Sequence, residues 1–132
     1  MKKLTIIRHA KSDWEHNLPD ILRPISTRGK KDIKVMSLLV DRLNLSPEII
    51  YSSTSKRTIE TYENFLKHSS AFKNIDFHKS ELLYDFTGYN VLNFIKNIDD
   101  KYSNVLLFSH NNSCSFLTAE LGGEYKHVPT CG

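Results

Sequence analysis

Short apolar runs alternate along the chain with longer stretches that have helical spacing. The short runs predict strands and the longer stretches predict helices. The predicted strands cover residues 3–8, 48–52, 75–78 and 104–108, the third being the weakest. The predicted helices cover residues 26–45, 53–67, 89–98 and 113–121. Strands and helices that alternate in this way are typical of an α/β protein with right-handed crossovers.

Two stretches sharpen this prediction. Residues 104–108 (Asn-Val-Leu-Leu-Phe) form a continuous apolar run, as expected of a central parallel strand covered on both faces. Residues 10–25 contain Pro19 and Pro24, which disfavour a regular helix there. We therefore expect an irregular segment to follow the first strand.

The composition is that of an ordinary globular protein. The 132 residues are 39% hydrophobic and 25% charged, with five glycines and four prolines. These values exclude disordered, collagen-like and disulfide-stapled classes. The chain has no repeat and no Gly-, Ser- or Pro-rich linker, so we expect one domain over residues 1–132.

Charge and cysteine content argue against several kinds of partner. The net charge of +3 is mild, and basic residues cluster only at 28–31, so nucleic-acid binding is not expected. Cys114 and Cys131 have no metal-binding or redox spacing, which favours a reducing compartment. The apolar stretch at 4–7 is too short for a signal peptide, and Ser, Asn and His interrupt the uncharged span 102–119. We expect a cytoplasmic protein that does not bind a membrane.

Three predicted strands run directly into polar clusters. The clusters are residues 8–14 (Arg-His-Ala-Lys-Ser-Asp-Trp), 52–58 (Ser-Ser-Thr-Ser-Lys-Arg-Thr) and 109–113 (Ser-His-Asn-Asn-Ser). Ligands of open α/β sheets bind beyond the carboxyl ends of the strands. Parallel strands would therefore bring two arginines, two histidines and several hydroxyl groups to one edge of the sheet.

These residue types together favour a site for a phosphoryl group. Arginine offers paired donors that match phosphate oxygens, and a histidine ring nitrogen can attack phosphorus. Helices that start after the second and third clusters would point their N-terminal amides at the same anion. Each residue also has a structural alternative: Arg8 could be solvated or pair with an aspartate, His9 could be a hydrogen-bonded core histidine, Arg57 a surface residue and His110 a helix cap. The repetition at three strand ends favours the joint interpretation.

The ordered motifs resemble the histidine phosphatase superfamily, also called phosphoglycerate mutase-like, along essentially the whole chain. The matching segments are residues 6–14 (the Arg-His pair after the first strand), 23–29 (Arg-Pro-Leu-Thr), 52–61 (Ser-Ser-Pro-x-x-Arg-x-x-x-Thr) and 108–112 (Val-Gly-His-Asn-Pro). The short length and residues 128–132 are similar to the small SixA-type phosphohistidine phosphatases. The resemblance implies a three-layer α/β/α sandwich with a mostly parallel central sheet.

The resemblance also implies roles for individual residues. His9 is expected to be the nucleophile that becomes transiently phosphorylated, with Arg8, Arg57 and His110 as the phosphate clamp. Two further candidates for substrate binding are Ser12 and Asn111. Neither a metal ion nor a cofactor is expected. The expected substrate bears a phosphate group, and a phosphohistidine-containing protein is the candidate partner.

The proton donor is where the chain departs from the larger family members. Tyr84 stands where they place a glutamate acid, and tyrosine is a weak acid with a pKa of about 10. Asp85 and Glu81 flank it and are the candidate donors, although both could equally be solvated charges. The lack of an obvious acid favours a substrate whose leaving group departs readily, such as phosphohistidine.

Two alternative functions and one question about the domain stay open at this point. The chain could be a broad-specificity small-molecule phosphomonoesterase, or a non-catalytic module that binds phosphate or a phosphoprotein. SixA-type chains typically continue past the Pro-Thr-Cys-Gly segment at 129–132 into another strand. We therefore expect a domain that either lacks this C-terminal edge strand or does without it.

Overall fold

A parallel sheet lies at the centre of the protein. The structure is a computed structural model that describes residues 3–132, so the first two residues of the predicted domain lie outside it. The strands are β1 (Lys3–Arg8), β2 (Ile49–Ser52), β3 (Asp76–Lys79) and β4 (Asn104–Ser109). They pair in the order β1-β4-β2-β3, and every pairing is parallel. Each predicted strand is present, with bounds shifted by one residue at most.

Four α-helices connect or follow the strands. They are α1 (Thr27–Arg42), α2 (Lys56–His68), α3 (Tyr89–Lys96) and α4 (Ser113–Gly122). Helix α1 ends three residues before the predicted end, and Asn44 just beyond it has a φ of 51°, a left-handed conformation typical of helix ends. Helix α2 begins three residues later than predicted because Ser55 caps it, with its side chain accepting a hydrogen bond from the Thr58 amide.

The apolar residues form two clusters on opposite faces of the sheet. One cluster joins Ile33 of α1 and Phe65 of α2 to Leu106 and Phe108 of β4. The other joins residues of α3 and α4 to the alternate positions of β4, including Val91, Leu117, Val105 and Leu107. Because successive residues of β4 face opposite clusters, the strand is buried on both sides. The expected three-layer α/β/α sandwich is confirmed.

The segment between β1 and α1 is irregular, as expected, and crosses the carboxyl edge of the sheet. It contains an isolated antiparallel bridge between Ser12 and Ile25 and a short 3-10 turn at Asp20–Leu22. Gly29 of α1 lies directly against its start: a Cβ atom at Gly29 would overlap the Lys11 carbonyl oxygen and lie 3.2 Å from the Lys11 nitrogen. The close contact holds the segment against the first turn of α1.

The register of the sheet brings the polar clusters together. Arg8 pairs with Ser109, and Ser52 pairs with Phe108, so the three strands end side by side. The last residues of the chain also reach this edge, where the Arg8 amide donates to the Gly132 carbonyl oxygen at 2.9 Å. No helix within residues 3–132 combines the length and the apolarity needed to span a membrane.

Candidate active site

Two buried histidines lie next to each other at the carboxyl edge of the sheet. His9 follows β1 and His110 follows β4, and the two residues are 6% and 0% exposed. Their ring centroids are 5.4 Å apart. The adjacency of β1 and β4 therefore produces the histidine pair that the sequence predicted.

The hydrogen bond of His9 fixes which ring nitrogen carries a proton. Its Nδ1 lies 2.7 Å from the Ala10 carbonyl oxygen, which can only accept, so Nδ1 carries the proton and Nε2 keeps a free lone pair. Burial, assisted by the nearby Arg57 and Arg8 charges, lowers the pKa of His9 to about 4. At neutral pH His9 is therefore uncharged and has a nucleophilic nitrogen at Nε2.

Thr61 holds the Ala10 backbone that orients His9. The Ala10 amide donates to Thr61 Oγ1 at 2.9 Å, and the same hydroxyl donates to the Arg57 carbonyl oxygen at 2.6 Å. Thr61 thus joins the loop after β1 to the first turns of α2. This contact gives a physical reason for the threonine at the end of the 52–61 motif.

His110 lies between Arg57 and Ser53. Arg57 Nη2 lies 3.4 Å from His110 Nδ1. Because a guanidinium can only donate, His110 Nδ1 must be the acceptor and therefore carries the lone pair. His110 Nε2 then donates to Ser53 Oγ, 2.8 Å away. Burial and the Arg57 charge lower the pKa of His110 to about 3, so it too is neutral when no anion is bound.

Arg57 is buried and held by Asp20, a residue that the sequence reasoning missed. Its side chain is 2% exposed, and its Nη1 and Nη2 donate to the Asp20 carbonyl oxygen at 2.7 Å and to Asp20 Oδ2 at 3.0 Å. Asp20 Oδ1 accepts from Arg23 Nη2 at 3.0 Å, and Tyr84 donates its hydroxyl proton to Oδ2. The spacing Asp-x-x-Arg before Pro24, which suits one 3-10 turn, is the signal that could have identified this pair.

The net effect of these contacts is to keep the Asp20 carboxylate ionised. Partial burial raises its pKa, but the hydrogen bonds from Tyr84 and Arg57 outweigh burial and lower it overall. The pKa of Tyr84 is raised by burial and by its hydrogen bond to Asp20. The Tyr84 proton is therefore directed at Asp20 and is harder to remove than in water.

Three arginines retain buried donors without partners. Within the described part of the chain these are Arg8 Nε, Arg57 Nε, and both Nε and Nη1 of Arg23. Each guanidinium is otherwise anchored, Arg8 through a 2.9 Å hydrogen bond from Nη1 to the Val128 carbonyl oxygen. Buried donors without acceptors cost free energy, and an anion at this edge would supply the missing acceptors.

A cavity of about 390 Å³ opens beside His9. It is lined by Arg8, His9, Lys11, Ser12, Trp14, Arg28, His127, Pro129 and Thr130. This lining includes basic side chains and no carboxylate. A larger cavity of about 500 Å³ between β1, α3 and α4 has a mainly apolar lining without a titratable side chain. The smaller cavity is therefore the candidate site. Of the four central residues predicted from the sequence, Arg8 and His9 line it, whereas Arg57 and His110 are buried behind His9 and are absent from its lining.

The two predicted substrate-binding residues have different locations. Ser12 is buried and lines the cavity beside His9. Asn111 is half-buried and is absent from that lining, and its carbonyl oxygen accepts a hydrogen bond from the Ser113 amide at the start of α4. The structure thus brings Ser12, but not Asn111, to the cavity.

Neither of the predicted proton donors, Asp85 and Glu81, lines the cavity. The Asp85 carboxylate accepts hydrogen bonds from the amides of residues 87, 88, 90 and 91 and from the Thr87 hydroxyl. Asp85 is therefore the cap of α3, and these bonds outweigh its burial and lower its pKa. Glu81 is exposed in the 3-10 turn Glu81–Leu83. Over residues 3–132, no cluster of three or more His, Cys, Asp or Glu could hold a metal ion.

The chain is similar to two curated proteins. It is 26% identical to an uncharacterized chloroplastic protein of Arabidopsis thaliana over an alignment of 138 residues, gaps included, which covers 98% of this chain and 63% of that protein. It is 41% identical over 64 residues to phosphoserine phosphatase 1 of Hydrogenobacter thermophilus, covering 46% of this chain and 29% of that protein. The chain thus spans less than two thirds of the length of each relative. It matches no protein-family model.

Solved structures resemble the chain over nearly its whole length. The protein histidine phosphatase SixA complexed with tungstate has a TM-score of 0.83 at 21% identity, covering 97% of this chain and 83% of that one. A SixA protein from Agrobacterium tumefaciens has a TM-score of 0.80 at 23% identity, covering 100% and 89%. A phosphoglycerate mutase from Bacillus anthracis has a TM-score of 0.74 at 17% identity, covering 98% and 84%. The chain therefore has the fold of the phosphoglycerate mutase-like histidine phosphatases.

Proposed function

We propose that this chain is a metal-independent phosphatase that hydrolyses phosphohistidine through a covalent intermediate on His9. One observation carries the proposal: the neutral His9 has its Nδ1 proton committed to the Ala10 carbonyl oxygen, which leaves the Nε2 lone pair free beside a basic cavity. A histidine held in this way is prepared to attack an electrophile.

The first step transfers the phosphoryl group to His9. Nε2 of His9 attacks phosphorus, and the bond between phosphorus and the substrate imidazole breaks. The electron pair of that bond stays on the substrate nitrogen, which takes its proton from solvent. Arg8 and Arg57 stabilise the negative charge on the equatorial oxygens, and both retain a buried Nε donor that has no other partner among the described residues.

The second step returns His9 to its starting state. Water attacks phosphorus, the bond to His9 Nε2 breaks with its electron pair returning to Nε2, and orthophosphate leaves while the proton of the attacking water passes to solvent. His110 is neutral before substrate binds, and a bound phosphoryl dianion raises its pKa and favours protonation. The added proton would go to Nδ1, so His110 becomes an additional donor to the anion once its contact with Arg57 Nη2 gives way.

The surroundings of the site support a substrate with a good leaving group. No carboxyl group lines the cavity, Asp20 is ionised, and the Tyr84 proton is directed at Asp20. An alkoxide leaving group needs a strong proton donor, whereas the imidazole of phosphohistidine leaves readily once its ring is protonated. The structural similarity to a protein histidine phosphatase supports the same substrate class.

A small-molecule phosphomonoesterase is the second candidate. The observation that favours it is the 41% identity over 64 residues to a phosphoserine phosphatase. In that case the proton for the leaving alkoxide would come from solvent or from the substrate itself. The two candidates share His9 as the nucleophile and differ in the substrate that turns over fastest.

A parallel turnover assay separates these functions. Phosphate release is measured from a protein phosphorylated on histidine, from phosphoserine and from sugar phosphates, with His9→Ala as the inactive control. We use His68→Ala, which changes an exposed histidine at the end of α2, as the matched control with full activity. Fastest release from phosphohistidine is the expected result. Fastest release from phosphoserine would favour the second candidate, and labelling without release would indicate a binding module.

A further inference from the structure

The segment between β1 and α1 brings a carboxylate to two arginines next to the histidine pair. Asp20 contacts Arg57 and Arg23 at 3.0 Å each, one through each carboxylate oxygen. We propose that Asp20 is a positioning residue that holds Arg57 and Arg23 as a pair of anion-binding donors, which makes Arg23 the third arginine of the site. This inference rests on the proposed function, because it assigns the residues that bind its phosphoryl group.

Asp20 fixes the orientation of both guanidinium groups. Arg57 is held at two nitrogens, because Nη1 donates to the Asp20 carbonyl oxygen while Nη2 donates to Oδ2. Arg23 donates Nη2 to Oδ1, and Tyr84 fixes the carboxylate through its hydroxyl. Arginine side chains lose much rotational freedom on binding an anion, so donors fixed in advance bind it more tightly.

The carboxylate leaves the inner donors of both arginines free. Arg57 Nε, Arg23 Nε and Arg23 Nη1 are buried and have no partner among residues 3–132. A carboxylate that inhibited the site by mimicking substrate would accept hydrogen bonds from these donors. Asp20 instead accepts only from the terminal nitrogens Arg57 Nη1, Arg57 Nη2 and Arg23 Nη2. Because these three donors have no other acceptor among the described residues, they are available to an anion bound beside the two arginines.

Arg23 is held on a second side, and its charge acts on both histidines. Its Cζ atom stacks 3.6 Å from the centre of the Trp14 ring, and its side chain is 8% exposed. Its charge contributes to lowering the pKa of both His9 and His110, after burial and the Arg57 charge. An arginine buried at this position is therefore part of the electrostatic environment of the reacting atoms.

The charge of the assembled site is positive, as the binding of a phosphoryl dianion requires. Three guanidinium groups and one carboxylate contribute two net positive charges while both histidines are neutral, and Lys11 and Arg28 add positive charge at the cavity lining. Without the Asp20 carboxylate these groups would hold three positive charges, and Arg57 and Arg23 would each lose one of the contacts that fix them. Asp20 therefore sets both the geometry and the charge of the site.

Equilibrium binding of inorganic phosphate tests the inference independently of turnover. Isothermal titration calorimetry is carried out on wild type, Arg23→Gln and Asp20→Asn, with Arg42→Gln and Asp13→Asn as controls for the same changes of charge. We expect Arg23→Gln and Asp20→Asn to bind phosphate about 10- to 100-fold more weakly than wild type, because each loses charge-assisted hydrogen bonds. The controls should bind as wild type does, since Arg42 lies at the exposed end of α1 and Asp13 contacts only its own loop.

A double variant tests whether Asp20 acts through Arg23. If it does, Asp20→Asn should weaken binding less in the Arg23→Gln background than in wild type, because one of the two arginines that it positions is already gone. Equal thermal midpoints for the two backgrounds would show that the comparison reports on binding and not on unfolding. Additive losses would overturn the inference that Asp20 holds the two arginines as a pair, since none of its effect would then pass through Arg23.

The other outcomes separate this inference from the proposed function. Tighter phosphate binding by Asp20→Asn would show that the carboxylate competes with the anion, and unchanged binding by Arg23→Gln would exclude Arg23 from the site. Either result overturns the inference and leaves the proposed function standing. Failure of wild type to bind phosphate would contradict the proposed function itself.

Discussion

His9 has its nucleophilic nitrogen selected by a backbone atom and not by another side chain. The Ala10 carbonyl oxygen takes the Nδ1 proton, and Thr61 holds the Ala10 backbone in place. No titratable partner is involved, so the tautomer does not change with pH until the ring itself is protonated. The reactivity of His9 is therefore a property of the local fold.

Burial of the neutral histidines makes the stability of the protein sensitive to pH. The folded pKa of His9, about 4, lies below the unfolded value of 6.5, so the unfolded state binds more protons as the pH falls. The stabilisation is complete above about pH 6.5 and is lost as the pH falls from there towards 4. For His9 the full difference corresponds to about 3 kcal/mol.

Urea unfolding between pH 7 and pH 4 measures this effect. His9→Asn should lose less stability over that range than wild type, because it has one histidine fewer to protonate on unfolding. The exposed His68→Asn should follow wild type. Equal pH dependence for wild type and His9→Asn would contradict the lowered pKa.

At the residue scale, the sequence predicted the residues at the strand ends, and Ser12 close behind the first of them, but not Asp20 further along the loop. Arg8, His9, Arg57 and His110 follow strands or open a helix, so their convergence follows from a parallel sheet. Asp20 lies in an irregular segment and is 37 residues from Arg57 in sequence, and no periodicity relates the two. Contacts of this kind depend on how a loop folds over the sheet edge.

Helix α3 depends on Asp85 for its N-terminus. Its formal cap, Gly88, has a φ of 98° and no side chain to accept the free amides, and Asp85 accepts them instead. Asp85→Ala should lower the free energy of unfolding by about 2 kcal/mol, as for the loss of a strong helix cap. Glu81→Ala, which changes an exposed carboxylate four residues earlier, should have little effect.

The same two variants test whether Asp85 has a part in the chemistry. Turnover per folded molecule should stay well short of the roughly 10²- to 10⁴-fold loss that follows removal of a general acid. The measurement is kcat at a temperature where circular dichroism shows both variants to be folded. A loss in that range for Asp85→Ala would return Asp85 to the role of proton donor.

Two glycines lie on helices, and we expect substitution by alanine to have opposite effects on stability at the two positions. Gly29→Ala places a methyl group against the Lys11 backbone and should cost about 1–3 kcal/mol of stability. Gly122→Ala meets no atom within 4 Å, and alanine is the better helix residue, so this variant should be neutral or slightly more stable. Thermal unfolding of both proteins checks this, and equal effects would contradict the close contact at Gly29.

Periodicity predicted the elements well and their ends less well. The residues of α1 and α2 that face the sheet are spaced as a helix requires, which the sequence shows directly. The start of α2 was placed too early because residues 53–55 form a turn in which Ser53 Oγ accepts from His110 Nε2 and from the Ser55 amide. The turn thus depends on a hydrogen bond from His110, which lies 57 positions from Ser53 in the sequence, and local spacing does not reveal such a contact.

The order of the strands is a property of the whole molecule. The apolar run at 104–108 predicted a strand covered on both faces, and β4 is indeed an inner strand. The insertion of β4 between β1 and β2 joins segments about 50 to 100 residues apart in sequence, and it was not predicted from local pattern. The order nevertheless decides that His9 and His110 are neighbours.

Phosphate should stabilise the whole molecule if the basic edge of the sheet binds it. An anion bound only by the folded state adds about 2.7 kcal/mol at 100 times its Kd. For a domain of this size the gain corresponds to a rise of several degrees in Tm. Arg8→Gln should reduce the rise, and chloride at equal ionic strength should not reproduce it. An equal rise with chloride would indicate general screening of charge.

The most direct test of the account is the site at which the protein becomes phosphorylated. Wild type, His9→Ala and His68→Ala are mixed with a protein phosphorylated on histidine, quenched in alkali and examined by mass spectrometry. The account predicts one acid-labile phosphoryl group on His9 in wild type and His68→Ala, and none in His9→Ala, which also loses turnover. Phosphorylation of another residue, or undiminished phosphate release by His9→Ala, would contradict it.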